Sequence, residues 1–120
     1  MSNKQTTIKS SVSLEGVGIH TGKDVKLSFK PADPDTGYVF KRLDLDGSPS
    51  IEALSKYVIN TQRGTTLEKN GVKLKTIEHV LAALVGLEID NVLIEINAEE
   101  PPIMDGSSKY FVDALENAGV

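Results

Sequence analysis

Along residues 25–30 the side chains alternate: Val25, Leu27 and Phe29 are apolar, while Lys26, Ser28 and Lys30 are polar. A period of two places one set on each face of an extended chain, so this stretch predicts a half-buried β-strand. A β-type run from Ile8 to Ile19 precedes it and ends in the glycine-punctuated turn GVGIHTGK. After the Pro-, Asp- and Gly-rich loop PADPDTG, the segment YVFKRLDL (residues 38–45) reads as a third strand, broken by DGSPS. Residues 51–63 have no decisive period and read as strand at Tyr57–Asn60. The sharpest local signal is TTLEKNGVKLKT. Its Asn70-Gly71 pair suits the positive φ values of a type I′ turn, and alternating positions on each side predict a hairpin.

The pattern then changes period. In KTIEHVLAALVGL no polar side chain follows His79 until Glu88. Thr76 is the expected helix N-cap, Glu78 lies in the first turn where the helix dipole favours an anion, and the helix is expected to run to about Gly86. On a 100° wheel Ile77, Val80, Leu81, Leu84, Val85 and Leu87 form a broad arc expected to lie on the sheet. The opposite arc holds Glu78, His79, Ala82, Ala83 and Gly86. That second face is small rather than charged, which suits close approach of another backbone. NVLIEINA (residues 91–98) is apolar enough for a central strand, and residues 99–108 form a loop. SKYFVDALENAGV is a final helix, with Phe111, Ala114, Leu115 and Ala118 on its apolar face and Gly119 as its C-terminal cap. Residues 1 to about 7 are polar and expected to fray. The sum predicts an α+β two-layer sandwich, a mostly antiparallel or mixed sheet with two helices on one face, as a single domain over residues 1–120.

Composition narrows the possible partners. With 39% apolar residues, 120 residues suffice for one core. A formal charge of −4, from 13 basic and 17 acidic residues, disfavours nucleic acid as a main partner. The absence of cysteine removes disulfides and thiolate metal sites. The first residues lack the apolar core of a signal peptide, and no stretch approaches an integral membrane span, so the expected location is cytoplasmic.

Two phosphate-binding readings fail. In GVGIHTGK five residues, not four, separate Gly16 from Gly22, and Asp24 follows Lys23 where a P-loop has Ser or Thr. The dinucleotide fingerprint fails as well, because a strand follows rather than a helix. His20, in the same turn, is either solvated and capping a backbone group or lining a site. Glu78 and His79 have two readings. One is a dipole-favoured first-turn acid beside a half-buried histidine. The other is a general base beside a metal ligand: a catalytic zinc takes three protein ligands and leaves one position for water. With two histidines and no HExxH pair, this chain could not complete such a site from a local motif.

GVGIHTGK, TQRGTTL, KTIEHVLAALVGLEIDNVLIEI and PPIMDGSS, in that order, closely resemble the N-terminal domain of the UDP-3-O-acyl-N-acetylglucosamine deacetylases. These enzymes perform the committed step of lipid A biosynthesis in Gram-negative bacteria, and the resemblance covers essentially the whole chain. It implies zinc-dependent hydrolysis of the 2-acetamide of a UDP-3-O-acyl-glucosamine, with His79 as a zinc ligand and Glu78 as general base. It also implies a second domain of similar fold, absent from this chain, that supplies the remaining zinc ligands and packs on the Ala82, Ala83 and Gly86 face. This chain would then be half of an active site, inactive alone. By the same resemblance Thr61 and Arg63 flank the substrate cleft, although a β-edge segment accounts for them equally. Asp105 belongs to the P-I-x-D-G-S run, where turn and cap chemistry is the competing explanation. The rival to the enzyme reading is an isolated α+β module that binds or merely folds, since fold alone does not fix function.

Overall fold

A computed structural model describes residues 5–18, 22–61 and 64–120. Its elements are β1 (Val12–Val17), β2 (Asp24–Pro31), β3 (Tyr38–Arg42), β4 (Ser50–Glu52), a 3-10 turn (Ser55–Tyr57), β5 (Val58–Thr61), β6 (Gly64–Lys69), β7 (Val72–Leu74), α1 (Glu78–Gly86), β8 (Val92–Ile96) and α2 (Lys109–Ala118). Five strands form one sheet in the order β1-β2-β8-β3-β4, and β5-β6-β7 form a second. In the larger sheet β3 and β8 run parallel, whereas the other neighbours are antiparallel. The expected α+β class with a mixed sheet is what the chain adopts.

Cross-strand register sorts the side chains. Leu27 faces Ile96, Phe29 faces Ile94, and Phe40 lies opposite Ile94 on one side and Ile51 on the other. All of these are fully buried or nearly so. Their chain neighbours Ser28, Lys30 and Glu95 point the other way, where Lys30 pairs with Glu95 at 2.7 Å. One face of the sheet is thus dry and the other wet, as strict alternation requires. α2 closes the dry face: Phe111, Leu115 and Ala118 are buried, and the Phe111 ring meets Phe29 edge-on at 6.4 Å between centroids. Burial of an aromatic pair in this arrangement adds about 0.5–1.5 kcal/mol beyond its area.

Several expectations need correction. The third strand ends at Arg42 rather than Leu45, because the chain turns through Gly47 and Ser48, both at positive φ, and returns as β4. Residues 5–7 are held rather than frayed. The amides of Asp90 and Asn91, at the start of β8, need acceptors and take the Thr6 carbonyl at 3.0 Å. Thr76 is not the N-cap of α1; it has φ +57°, and the cap position is Ile77, with no side-chain cap bond. The wheel assignment of α1 also shifts. Ala83 is fully buried and Val85 is 64% exposed, the reverse of the arcs expected. The helix packs against α2, so its buried sector is centred on Val80, Ala83 and Leu84. The exposed stripe is Ala82, Val85 and Gly86. Arg42, on the dry face, is another residue the pattern did not flag. It is 6% exposed, grips Asp44 through two bonds of 2.8 and 2.6 Å, and donates to the Lys73 carbonyl at 2.8 Å, so it clasps the large sheet to the β6–β7 hairpin.

Candidate functional site

The N-terminus of α1 is where distant parts of the chain meet. On one side, β6 approaches through Thr65, which makes two bonds to the helix start. Its main-chain N–H donates to Glu78 Oε1 at 3.0 Å, and its carbonyl accepts from the Ile77 N–H at 3.1 Å. On the other side lies the loop after β8. The Lys75 N–H donates to the Glu99 carbonyl at 2.8 Å, and the Thr76 hydroxyl donates to Glu100 Oε2 at 3.1 Å. Glu100 is completely buried. A carboxylate is tolerated there because it is hydrogen-bonded.

The end of β1 joins the same cluster. Ile103 donates its N–H to the Val17 carbonyl at 2.8 Å, and Gly18 bridges to Pro102. Gly16 has to be glycine here, because a Cβ would lie 2.9 Å from that of Pro102. Segments of GVGIHTGK, TQRGTTL, KTIEHV and PPIMDG, scattered along the sequence, are therefore assembled around the first turn of one helix.

Glu78 and His79 are both half-buried. Being successive on a helix, they diverge by about 100°. Glu78 turns to Gly64 and Thr65, whereas His79 lines a small cavity of about 60 Å³ with Thr76, Pro101, Pro102, Ile103, Gly106 and Phe111. That volume accommodates a few water molecules, well short of the roughly 300 Å³ at which ligand pockets begin.

The remaining sequence candidates fall as follows. Asp105 is exposed and accepts from the Ser107 N–H at 3.0 Å and the Ser107 hydroxyl at 2.7 Å. Those bonds hold its carboxyl pKa below the usual carboxylate range and make it the pivot of the turn into α2. Thr61 closes β5 and is paired by main chain with Gly64, beside Glu78; its side chain, like His20 and Arg63, lies outside the described residues. Sequence reasoning missed Gly64, Thr65 and Glu100. A glycine three residues before the buried strand position Leu67, in RGTTL, was the available signal for a close approach to another group.

Among the described residues no three His, Asp or Glu side chains gather into a metal site. The donor set present is one imidazole with a carboxylate beside it, which fits one of the three protein ligands of a catalytic zinc and a base next to it. No helix among the described residues is long and apolar enough to cross a membrane.

Comparison with known proteins gives a consistent result. A family model described as UDP-3-O-acyl N-acetylglycosamine deacetylase matches residues 5–120. The chain is 51% identical over 116 residues to a bifunctional enzyme LpxC/FabZ of Bacteroides thetaiotaomicron, covering 97% of this chain and 25% of that protein. It is 49% identical over 116 residues to a protein of the same name in Chlorobaculum tepidum, with the same coverage. Over 117 residues it is 47% identical to a UDP-3-O-acyl-N-acetylglucosamine deacetylase of Marinobacter nauticus, covering 98% of this chain and 38% of that protein. The chain thus spans 25% to 38% of the length of these relatives.

Proposed function

Because this chain belongs to the UDP-3-O-acyl N-acetylglycosamine deacetylase family, we propose that the longer protein carrying it hydrolyses the 2-acetamide of UDP-3-O-acyl-N-acetylglucosamine in lipid A biosynthesis. The observation that supports a catalytic role for this part of the molecule is the assembly of four separate sequence segments around Glu78 and His79. A helix start serving only packing would not require it.

In this reading the enzyme is zinc-dependent and works in the cytoplasm of a Gram-negative bacterium. His79 supplies one ring nitrogen to the metal, and the other ligands come from a second domain elsewhere in the protein. When bound, zinc supplies Lewis-acid chemistry to the acetamide carbonyl. Glu78 does the proton work: its carboxylate accepts a proton as water adds to the carbonyl carbon. Collapse then breaks the C–N bond, and the amine leaves with a proton as acetate is released. Thr61, Arg63, His20 and Asp105 are assigned to the substrate-facing rim. The exposed stripe of Ala82, Val85 and Gly86 is the face on which the second domain packs. Ala83, buried within this chain, takes no part.

The test is acetate release from UDP-3-O-acyl-N-acetylglucosamine by the full-length protein, with zinc removed by chelation and then restored. Zinc-dependent release, with none from the 120-residue chain alone, is expected. Failure of the full-length protein to release acetate at any zinc loading overturns the reading.

A further inference from the structure

A general base is useful only if its carboxylate is already aimed, since a misplacement of about 1 Å can cost on the order of 100-fold in rate. Glutamate has three rotatable side-chain bonds and does not aim itself. Here the aiming comes from main chain. Thr65 holds the helix start at two points, with its N–H on Glu78 Oε1 at 3.0 Å and its carbonyl on the Ile77 N–H at 3.1 Å. Gly64 makes that approach possible. Its φ of +131° is a conformation that side-chain-bearing residues rarely adopt, and a Cβ there would stand 2.8 Å from Oε2 and 2.9 Å from Oε1 of Glu78. The carboxylate therefore lies close against the Gly64–Thr65 backbone, in space that a side chain at position 64 would fill.

We propose that Gly64 and the Thr65 main-chain N–H are positioning groups for Glu78, setting the direction from which its carboxylate meets the attacking water. This rests on the reading of Glu78 as general base. It adds that the tip of the β5–β6 hairpin acts on turnover rather than on substrate affinity, although Gly64 has no side chain and Thr65 acts through its backbone.

The experiment is a double-mutant cycle in the full-length protein. Gly64→Ala should lower kcat about 10- to 100-fold with KM and zinc content retained, because the added methyl displaces the carboxylate. In a Glu78→Gln background the same change should cost little more, since the group it acts through is already disabled. Gly64→Ala also strains the backbone, so a second variant is made by semisynthesis, with the Gly64–Thr65 amide replaced by an ester. The ester removes one N–H and alters no side chain. It should lower kcat about tenfold, again without further effect on Glu78→Gln. Should Gly64→Ala fail to fold, the ester decides alone. Full kcat in the ester variant, or losses that add to those of Glu78→Gln, would overturn the inference. Wild-type activity in Glu78→Gln by itself would instead overturn the assignment of the base.

Discussion

The hydroxyl of Thr76 donates to the buried carboxylate of Glu100 at 3.1 Å, and this bond ties the entrance of α1 to the loop that lines the His79 cavity. Thr76 holds a left-handed conformation, φ +57°, that a β-branched residue adopts only when its surroundings impose it. Thr76→Val keeps the shape and the backbone demand but deletes the donor. It should destabilise the 120-residue chain by about 1–3 kcal/mol, the usual result of removing a partner from a buried polar group. Thermal denaturation of the two forms measures this, and an unchanged midpoint would show that the bond contributes nothing net.

Glu78 and His79 should separate when each is changed in the full-length protein. Glu78→Gln is expected to keep zinc while turnover falls about 10²–10⁴-fold, the usual size of a general-base effect. His79→Ala is expected to lose zinc itself. Elemental analysis beside kinetics distinguishes them, and loss of metal from Glu78→Gln comparable to that from His79→Ala would exchange or abolish the proposed roles.

Adjacent alanines on α1 should respond in opposite ways. Ala83 is fully buried, so Ala83→Glu places a charge and extra volume in a packed interior and should cost the 120-residue chain about 3 kcal/mol or more. Ala82 is exposed, and Ala82→Glu should change the same chain by less than about 0.5 kcal/mol. In the full-length protein Ala82→Glu should nevertheless reduce activity, because the Ala82, Val85 and Gly86 stripe is the proposed docking face. Melting curves of the short chain and activity of the long one check both halves. Full activity of Ala82→Glu in the long protein would leave that face without a partner.

The Arg42–Asp44 clasp should make the fold acid-sensitive. Hydrogen bonding to Arg42 holds the Asp44 carboxyl below its ordinary value of 3.8. A carboxylate depressed in the native state binds protons more readily when unfolded, so its stabilisation is fully present above about pH 4 and disappears as pH falls through the lower native value. Wild type should therefore melt above Asp44→Asn at pH 6, with the gap closing towards pH 2. A gap independent of pH would place the effect in packing rather than charge.

Much of this arrangement was legible from local chemistry. The Asn70-Gly71 turn, with φ of +54° and +81°, and the buried alternation of Val25, Leu27 and Phe29 follow from rules that involve only near neighbours. What the sequence concealed depends on partners far along the chain. Ala83 is buried because α2 arrives beside it, and Arg42 is buried because Asp44 and the Lys73 carbonyl accept three hydrogen bonds from its guanidinium. Thr76 was read as a cap by its type, but the chain enters α1 from a left-handed residue whose hydroxyl is engaged by Glu100. At the site, the motifs were visible one at a time. Their convergence was not, because no periodicity encodes the contact of Thr65 with Glu78 or of Ile103 with Val17.

The position of β8 sets an order of events during synthesis. β1 and β2 form one ribbon and β3 and β4 another, each from neighbouring sequence, yet the strand that joins them, Val92–Ile96, is the last of the five to leave the ribosome. Until then each ribbon presents a bare apolar face, and isolated two-stranded ribbons are marginal in water. The nascent chain thus carries Leu27, Phe29 and Phe40 without their central partner until Val92–Ile96 has been made, a window in which chaperones or aggregation compete for them. Only when Ile94 slots between Phe29 and Phe40 does the sheet become one object.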